Sequence, residues 1–238
     1  MSDNSRPRAV LFDAYGTLFR LEAIEAICAT ILVGHRPSPP TSEFFRLWRT
    51  KQIEYCVHRS LMGEAHYRDF RQVTAEALDY VLAYFDFDIP EIGRQALVRA
   101  WMTPAADPEA RAVLAALAPT PCAILSNGEP LMLEEAARAA GLLEHLDALL
   151  SVDSVRSYKP HPSVYALGTA RYECQPSEIA FVSANSWDIA GAGAFGFRTC
   201  WINRNQLPPD RHGPPPEWTV TDLAAVPAVL GSWANPIQ

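Results

Sequence analysis

The chain has 238 residues, 49% of them apolar, and a formal charge of −7 from 20 Lys/Arg and 27 Asp/Glu. That length can bury a proper core, as one large domain or two small ones. The acidic balance and the lack of any Lys/Arg run argue against a nucleic-acid partner, and no apolar run reaches the roughly 18 residues of a membrane span. The polar Met1–Arg8 has no apolar stretch behind it, so no secretion signal is expected. Five scattered cysteines, Cys28, Cys56, Cys122, Cys174 and Cys200, form no CxxC and have no zinc-ligand spacing with the six histidines. Reduced thiols in a cytoplasmic protein are the expectation.

Residues 9–13, Ala-Val-Leu-Phe-Asp, read as a short buried strand that ends on a carboxylate. The rhythm then turns helical. Leu21–Val33 is apolar-rich, and His35–Pro40 breaks it. Ser42–Arg59, Tyr67–Phe85 and Ile92–Trp101 each carry apolar residues at helical spacing, and no strand signal interrupts residues 21–104. After Asp107-Pro108 strands and helices alternate. Cys122–Leu125, Ala148–Val152, Ile179–Val182 and Thr199–Ile202 are the predicted strands. Glu109–Leu117, Glu129–Ala140, Pro162–Tyr172 and Trp187–Phe195 are the predicted helices. Leu207–Pro216 is a Pro-rich loop, and Trp218–Leu230 is expected to close with a short helix. This alternation implies βαβ units and a mostly parallel sheet. The expected architecture is an α/β core of residues 1–20 plus 105–238, with a helical module, residues 21–104, inserted after the first strand. Such an insertion would stand over the C-terminal edge of the sheet, where ligands of open α/β sheets bind.

The strand ends carry the chemistry. Asp13 is followed by a Gly turn and Thr17. Ile124-Leu125 leads to Ser126-Asn127-Gly128, Val152 leads to Lys159-Pro160, and Phe181-Val182 leads to Ser183-Ala184-Asn185-Ser186-Trp187-Asp188. Each has an ordinary local use. Ser126-Asn127-Gly128 is a good helix entry, Lys159 a plausible solvated cation, and Asp188 a partner for a helix N-terminus. Their joint placement on converging strand tips points instead to one crevice holding Asp13, Ser126, Lys159 and Asp188. Gly191-Ala192-Gly193-Ala194-Phe195-Gly196 matches the GxGxxG pattern. It lies inside a predicted helix rather than directly after a strand, so small residues for close packing explain it better than a dinucleotide.

In this order the motifs resemble those of the haloacid dehalogenase superfamily, and within it the L-2-haloacid dehalogenases of type II. The stretch Leu47-Trp48-Arg49-x-Lys51-Gln52-Ile53-Glu54-Tyr55 resembles that subgroup's lid helix, and Tyr165, six residues beyond Lys159, matches as well. The resemblance implies a Rossmann-like parallel sheet with a helical cap. It implies a hydrolase that needs no metal or other cofactor and that works as a homodimer. Two positions depart from the pattern of the superfamily's phosphatases. Tyr15 stands where those enzymes carry a general-acid Asp, and Ala184 where they carry an extra Asp that helps to hold Mg²⁺. A halide leaves without a proton, whereas an alkoxide does not.

The implied substrate is a small L-2-haloalkanoate, and the implied products are halide and a D-2-hydroxy acid. Asp13 would attack C2 and form an ester that water then hydrolyses. Thr17, Lys159, Ser183, Asn185 and Asp188 would orient Asp13 and the water. By the resemblance, Ser126 and the N–H groups of Ala14 and Tyr15 would hold the substrate carboxylate, while Arg49 and Asn127 would receive the halide. Tyr15, Ile53, Phe70 and Trp187 would wall an apolar pocket. Three other readings stay open on sequence: a related hydrolase of a non-halogenated acid such as azetidine-2-carboxylate, a phosphatase, and a non-catalytic binding protein.

Overall fold

The computed structural model describes residues 5–33 and 38–234. Six parallel strands form one sheet: β1 (Ala9–Phe12), β2 (Cys122–Ser126), β3 (Ala148–Ser151), β4 (Ile179–Ser183), β5 (Arg198–Ile202) and β6 (Trp218–Val220). Their order is β3-β2-β1-β4-β5-β6. β1 is therefore flanked on both sides, pairing Leu11 with Ala123 on β2 and with Phe181 on β4. Every residue of β1, β2 and β4 is buried, as expected of central parallel strands covered on both faces. The α/β architecture agrees with the expectation from sequence.

Among the described residues, four α-helices lie between β1 and residue 104: α1 (Leu21–Val33), α2 (Thr41–Met62), α3 (Phe70–Tyr84) and α4 (Glu91–Arg99). The expected break at His35–Pro40 falls partly on residues 34–37, outside the described residues. Helix α2 buries Phe44, Phe45, Trp48, Gln52 and Cys56, a stripe at helical spacing that packs on α3. Two polar ties fix that pairing. The Trp48 indole donates to the Thr74 carbonyl (2.9 Å), and the Gln52 amide donates to the Thr74 hydroxyl (2.6 Å). α3 starts at Phe70 rather than at Tyr67 because Asp69 caps it, accepting the Gln72 N–H at 2.8 Å. The freed Tyr67 then reaches Asp153 through its hydroxyl, at 2.6 Å.

The remaining helices are α5 (Ala110–Ala116), α6 (Pro130–Ala139), α7 (Pro162–Tyr172), α8 (Ser186–Phe195) and α9 (Val226–Leu230). The sequence reading missed β6. It has only three residues, Trp218 and Val220 buried and Thr219 exposed, and it pairs with β5 through Cys200–Trp218 and Ile202–Val220. So short an alternation is indistinguishable from a turn of helix. Gly191 sits inside α8, and a Cβ there would lie 2.4 Å from the Tyr165 hydroxyl and 2.6 Å from Pro160 Cβ. The small residue thus serves close packing of α8 on α7. No helix among the described residues is long and apolar enough to cross a membrane.

Candidate active site

Asp13 follows β1 directly, and its N–H prolongs the ladder by donating to the Val182 carbonyl (2.9 Å). Asp13 is 6% exposed, and its carboxylate is held from three strand tips. Asp13 Oδ2 accepts from Asn185 Nδ2 (2.7 Å) and Thr17 Oγ1 (3.1 Å), with Ser183 Oγ at 3.5 Å. Asp13 Oδ1 accepts from Lys159 Nζ at 3.1 Å. The same ammonium donates to Asp188 Oδ2 at 2.8 Å, and Tyr165 donates its hydroxyl to Asp188 Oδ1 at 2.9 Å. Both Lys159 and Asp188 are fully buried at the side chain. Charges removed from water persist only when paired and hydrogen-bonded. Here one cation is shared by two anions.

The electrostatics follow from that sharing. Burial alone would lower the Lys159 pKa, but Asp13 and Asp188 outweigh it and hold the ammonium above the ordinary lysine value. Burial pushes the Asp188 carboxyl up, and Lys159 pulls it part of the way back. Burial likewise drives the Tyr15 phenol far above its usual range, against the lowering effect of Arg49. Tyr15 is therefore neutral, and its hydroxyl is already spent on the Trp101 carbonyl (2.7 Å).

The turn after Asp13 is tightly organised. Gly16 takes φ +89°, a conformation that favours glycine. The Ala14 carbonyl accepts from the N–H groups of Thr17, Leu18 and Phe19. Among the described residues no acceptor faces the N–H groups of Ala14 and Tyr15. Two adjacent free donors at a strand tip form an anion-binding concavity. Ser126 Oγ, at the tip of β2, accepts the Gly128 N–H (3.1 Å), which leaves its own hydrogen free to donate. Asn127 Oδ1 accepts the Lys159 N–H at 3.0 Å, which leaves the amide hydrogens free.

Residues of the inserted segment cover this crevice. Tyr15 stacks on Phe70 with ring centroids 5.8 Å apart and meets Trp101 at 5.5 Å. Arg49 lies over the Trp101 ring, 5.5 Å from its centroid, and donates to Gln52 Oε1 at 2.6 Å. Burial lowers the Arg49 pKa, against the raising effect of Asp13. Ile53 is half-buried one turn beyond Arg49 on α2. Trp187 stands apart from the Tyr15–Phe70–Trp101 cluster and lines an outer cavity of about 410 Å³ with Pro160, Pro162 and His212.

The structure thus brings Asp13, Thr17, Lys159, Tyr165, Ser183, Asn185 and Asp188 into one bonded network. Ser126, Asn127, Ala14 and Tyr15 sit on its rim. The sequence reading gave no role to Gln52 or Trp101. Gln52 is a fully buried polar residue three positions after Arg49, and that spacing was the available signal. Nothing local marks Trp101, which meets Tyr15 across 86 residues of chain.

The family model for haloacid dehalogenase-like hydrolases matches residues 7–196. The chain belongs to that family. Within these hydrolases it is 41% identical over 225 residues to (S)-2-haloacid dehalogenase 1 of Pseudomonas sp. (strain CBS-3), covering 94% of this chain and 96% of the relative. It is 38% identical over 221 residues to the (S)-2-haloacid dehalogenase of Pseudomonas sp. (strain YL), covering 92% of each. The L-2-haloacid dehalogenase of Xanthobacter autotrophicus, solved with chloropropionic acid covalently bound, superposes with a TM-score of 0.84 at 33% identity, over 94% of this chain and 98% of that one.

Proposed function

We propose that the chain hydrolyses short-chain L-2-haloalkanoic acids to D-2-hydroxy acids, through an ester on Asp13 and without a metal ion. The observation that carries this reading is the buried Asp13–Lys159–Asp188 arrangement, in a chain whose relatives at 38–41% identity are named (S)-2-haloacid dehalogenases. An Asp13 oxygen attacks C2 in line with the carbon–halogen bond. That bond breaks with its electron pair on the halide, and C2 inverts. Water then adds to the ester carbonyl carbon, and the bond from that carbon to the substrate oxygen breaks. Asp13 is regenerated as a carboxylate that keeps the water oxygen, one of the water's protons goes to the departing alkoxide oxygen to give the 2-hydroxy acid, and the other goes to solvent.

The roles follow from geometry and charge. Thr17 and Asn185 fix the nucleophile, and Lys159 offsets the repulsion between the two carboxylates. Two such groups about 6 Å apart would repel by about 3 kcal/mol at an effective dielectric of about 20. The free N–H groups of Ala14 and Tyr15, with Ser126, receive the substrate carboxylate. Arg49 and the Asn127 amide receive the halide, whose charge develops only as the bond breaks. Tyr15, Ile53 and Phe70 bound the alkyl group, while Trp187, expected on the same wall, lines the outer cavity instead. A neutral Tyr15 suits halide departure, which needs no acid.

Residues 21–104 act as a cap over the core of residues 1–20 and 105–238. Phe70 and Trp101 resting on Tyr15 support this. The cap also supplies the surface of a homodimer, a reading favoured by exposed Leu61, Met62, Tyr80, Tyr84 and Ile92 on its helices. Five unpaired thiols suit a reducing, cytoplasmic setting.

The test is halide release from enantiopure L- and D-2-chloropropionate, with and without EDTA. Release from the L form alone, unaffected by EDTA and abolished in Asp13→Asn, is expected. Single turnover in heavy-oxygen water should label Asp13. Label passing straight into the hydroxy acid would mean direct attack by water and would end the proposal.

A further inference from the structure

Arg204 lies in the loop between β5 and β6 and belongs to no motif singled out in the sequence. Its guanidinium reaches across the sheet edge to the nucleophile turn. Nη1 donates to the Gly16 carbonyl (2.8 Å), and Nη2 donates to the Thr17 carbonyl (3.1 Å) and to Asp107 Oδ2 (2.9 Å). The Gly16 carbonyl belongs to the peptide before Thr17, and the Thr17 carbonyl to the peptide after it. One planar fork therefore grips both peptides that flank Thr17. With both planes fixed, the Thr17 side chain has one direction to point. Its hydroxyl donates to Asp13 Oδ2 and accepts the Ala184 N–H at 2.9 Å.

The third bond reaches the other end of the cap. Asp107 is 5% exposed and follows the segment by which the chain returns to the core. The outgoing and returning segments pair as a short antiparallel ribbon. Arg20 N–H donates to the Ala105 carbonyl and Asp107 N–H to the Leu18 carbonyl, both at 2.8 Å, with a bridge between Phe19 and Ala106. Arg204 clamps the open end of this ribbon to the turn. A charge-assisted, forked contact of this kind is stronger and more directional than a neutral one.

We infer that Arg204 is a positioning residue for the reaction: by holding both peptides around Thr17, and tying them to Asp107 at the cap junction, it sets the Thr17 hydroxyl on the nucleophilic carboxylate. This rests on the dehalogenase reading, and the test separates the two. The parent enzyme, Arg204→Ala, Arg204→Lys, Thr17→Ala and the double variants are assayed for halide release from L-2-chloropropionate. A parent that releases no halide overturns the dehalogenase reading itself. Given an active parent, Arg204→Ala should lose about 10- to 100-fold in kcat, with KM within about threefold, because a misplaced reacting group costs chemistry rather than binding. Arg204→Lys, whose ammonium cannot hold two peptides in a fixed plane, should also fall below the parent kcat. In the double variant with Thr17→Ala, the Arg204 substitution should cost nothing further, since the group it positions is gone. A brace acting on the fold alone would lower the melting temperature and leave kcat per folded enzyme unchanged. If Arg204→Ala does not fold, the same cycle runs with Arg204→Lys. Parent kcat in the Lys variant, or losses that multiply with Thr17→Ala, overturns the inference.

Discussion

Replacing Lys159 by Met isolates the charge argument, because the apolar stem is kept and only the ammonium goes. Asp13 Oδ1 and Asp188 Oδ2 both bond to Nζ, at 3.1 and 2.8 Å. The two oxygens therefore lie within about 6 Å of each other, where two full charges repel by about 3 kcal/mol at an effective dielectric of about 20. Removing one partner of a buried ion pair costs about 3–5 kcal/mol in general, so the two figures agree. The fold can relieve the strain by taking up a proton, at about 1.4 kcal/mol per pKa unit. A carboxyl in the variant then has a folded-state pKa raised above its unfolded value. A folded state that binds protons more readily than the unfolded one gains stability as pH falls. Urea denaturation of Lys159→Met should therefore show a loss of about 3 kcal/mol near neutral pH that shrinks as pH is lowered towards the carboxylate range. Adding Asp188→Asn removes the second anion. The double variant should recover about 2–3 kcal/mol relative to Lys159→Met while staying inactive in halide release. If Asp188→Asn instead destabilises Lys159→Met further, repulsion between the carboxylates is not what Lys159 offsets, and the reasoning fails.

Four further outcomes follow from the same geometry. Asp188 titrates above the ordinary aspartate range, so the acid limb of kcat/KM should lie higher than an exposed aspartate would give, and Asp188→Asn should abolish that limb. Over the same pH window the Asp188 contribution to stability should fall as pH rises, because the folded state releases its proton later than the unfolded chain; activity and this part of stability run in opposite directions. Gly191→Ala should cost about 1–3 kcal/mol in stability by overpacking, and it should lower kcat by pushing the Tyr165 hydroxyl off Asp188. Tyr15→Phe should lose about 1 kcal/mol in thermal denaturation with its bond to the Trp101 carbonyl, and the turnover rate should keep its pH dependence because the phenol carries no proton in the reaction.

The fold and most of the site were legible because the chemistry sits at strand tips. β1, β2 and β4 are unbroken apolar runs, and each hands over directly to a polar motif. Once the alternation of strands and helices implies a parallel sheet, Asp13, Ser126 and Ser183 must converge. Lys159 was legible for a weaker reason. It comes eight residues after β3, and a chain path through a turn at Val152–Ser154 brings it back. Contacts made by carbonyls were invisible. Tyr15 is anchored by the backbone of Trp101, and Arg204 acts on the backbone of Gly16 and Thr17, so no side-chain pattern records either contact. β6 was lost because three residues cannot show a period.

The charge count around Asp13 explains why one lysine and one arginine are enough. Before reaction, Asp13 and Asp188 carry two negative charges, and Lys159 and Arg49 carry two positive ones. Attack turns the Asp13 carboxylate into a neutral ester and the halogen into an anion, so the total does not change. With the proposed halide site at Arg49, the charge moves from beside Lys159 to beside Arg49. No proton and no added cation is required by the balance, only a cation already waiting at each end of the displacement. The stacking of Arg49 over Trp101 and its bond to Gln52 hold the second cation in place before any charge arrives. Fixed dipoles and charges that need no reorganisation during the reaction are the main source of electrostatic catalysis. Gln52→Leu, which removes the bond to Arg49 and the tie to Thr74 but keeps an apolar filler, should therefore slow halide departure more than ester hydrolysis. Rapid-quench measurement of halide against 2-hydroxy acid formation reads the two steps apart. Equal slowing of both would mean that Arg49 does not meet the leaving group.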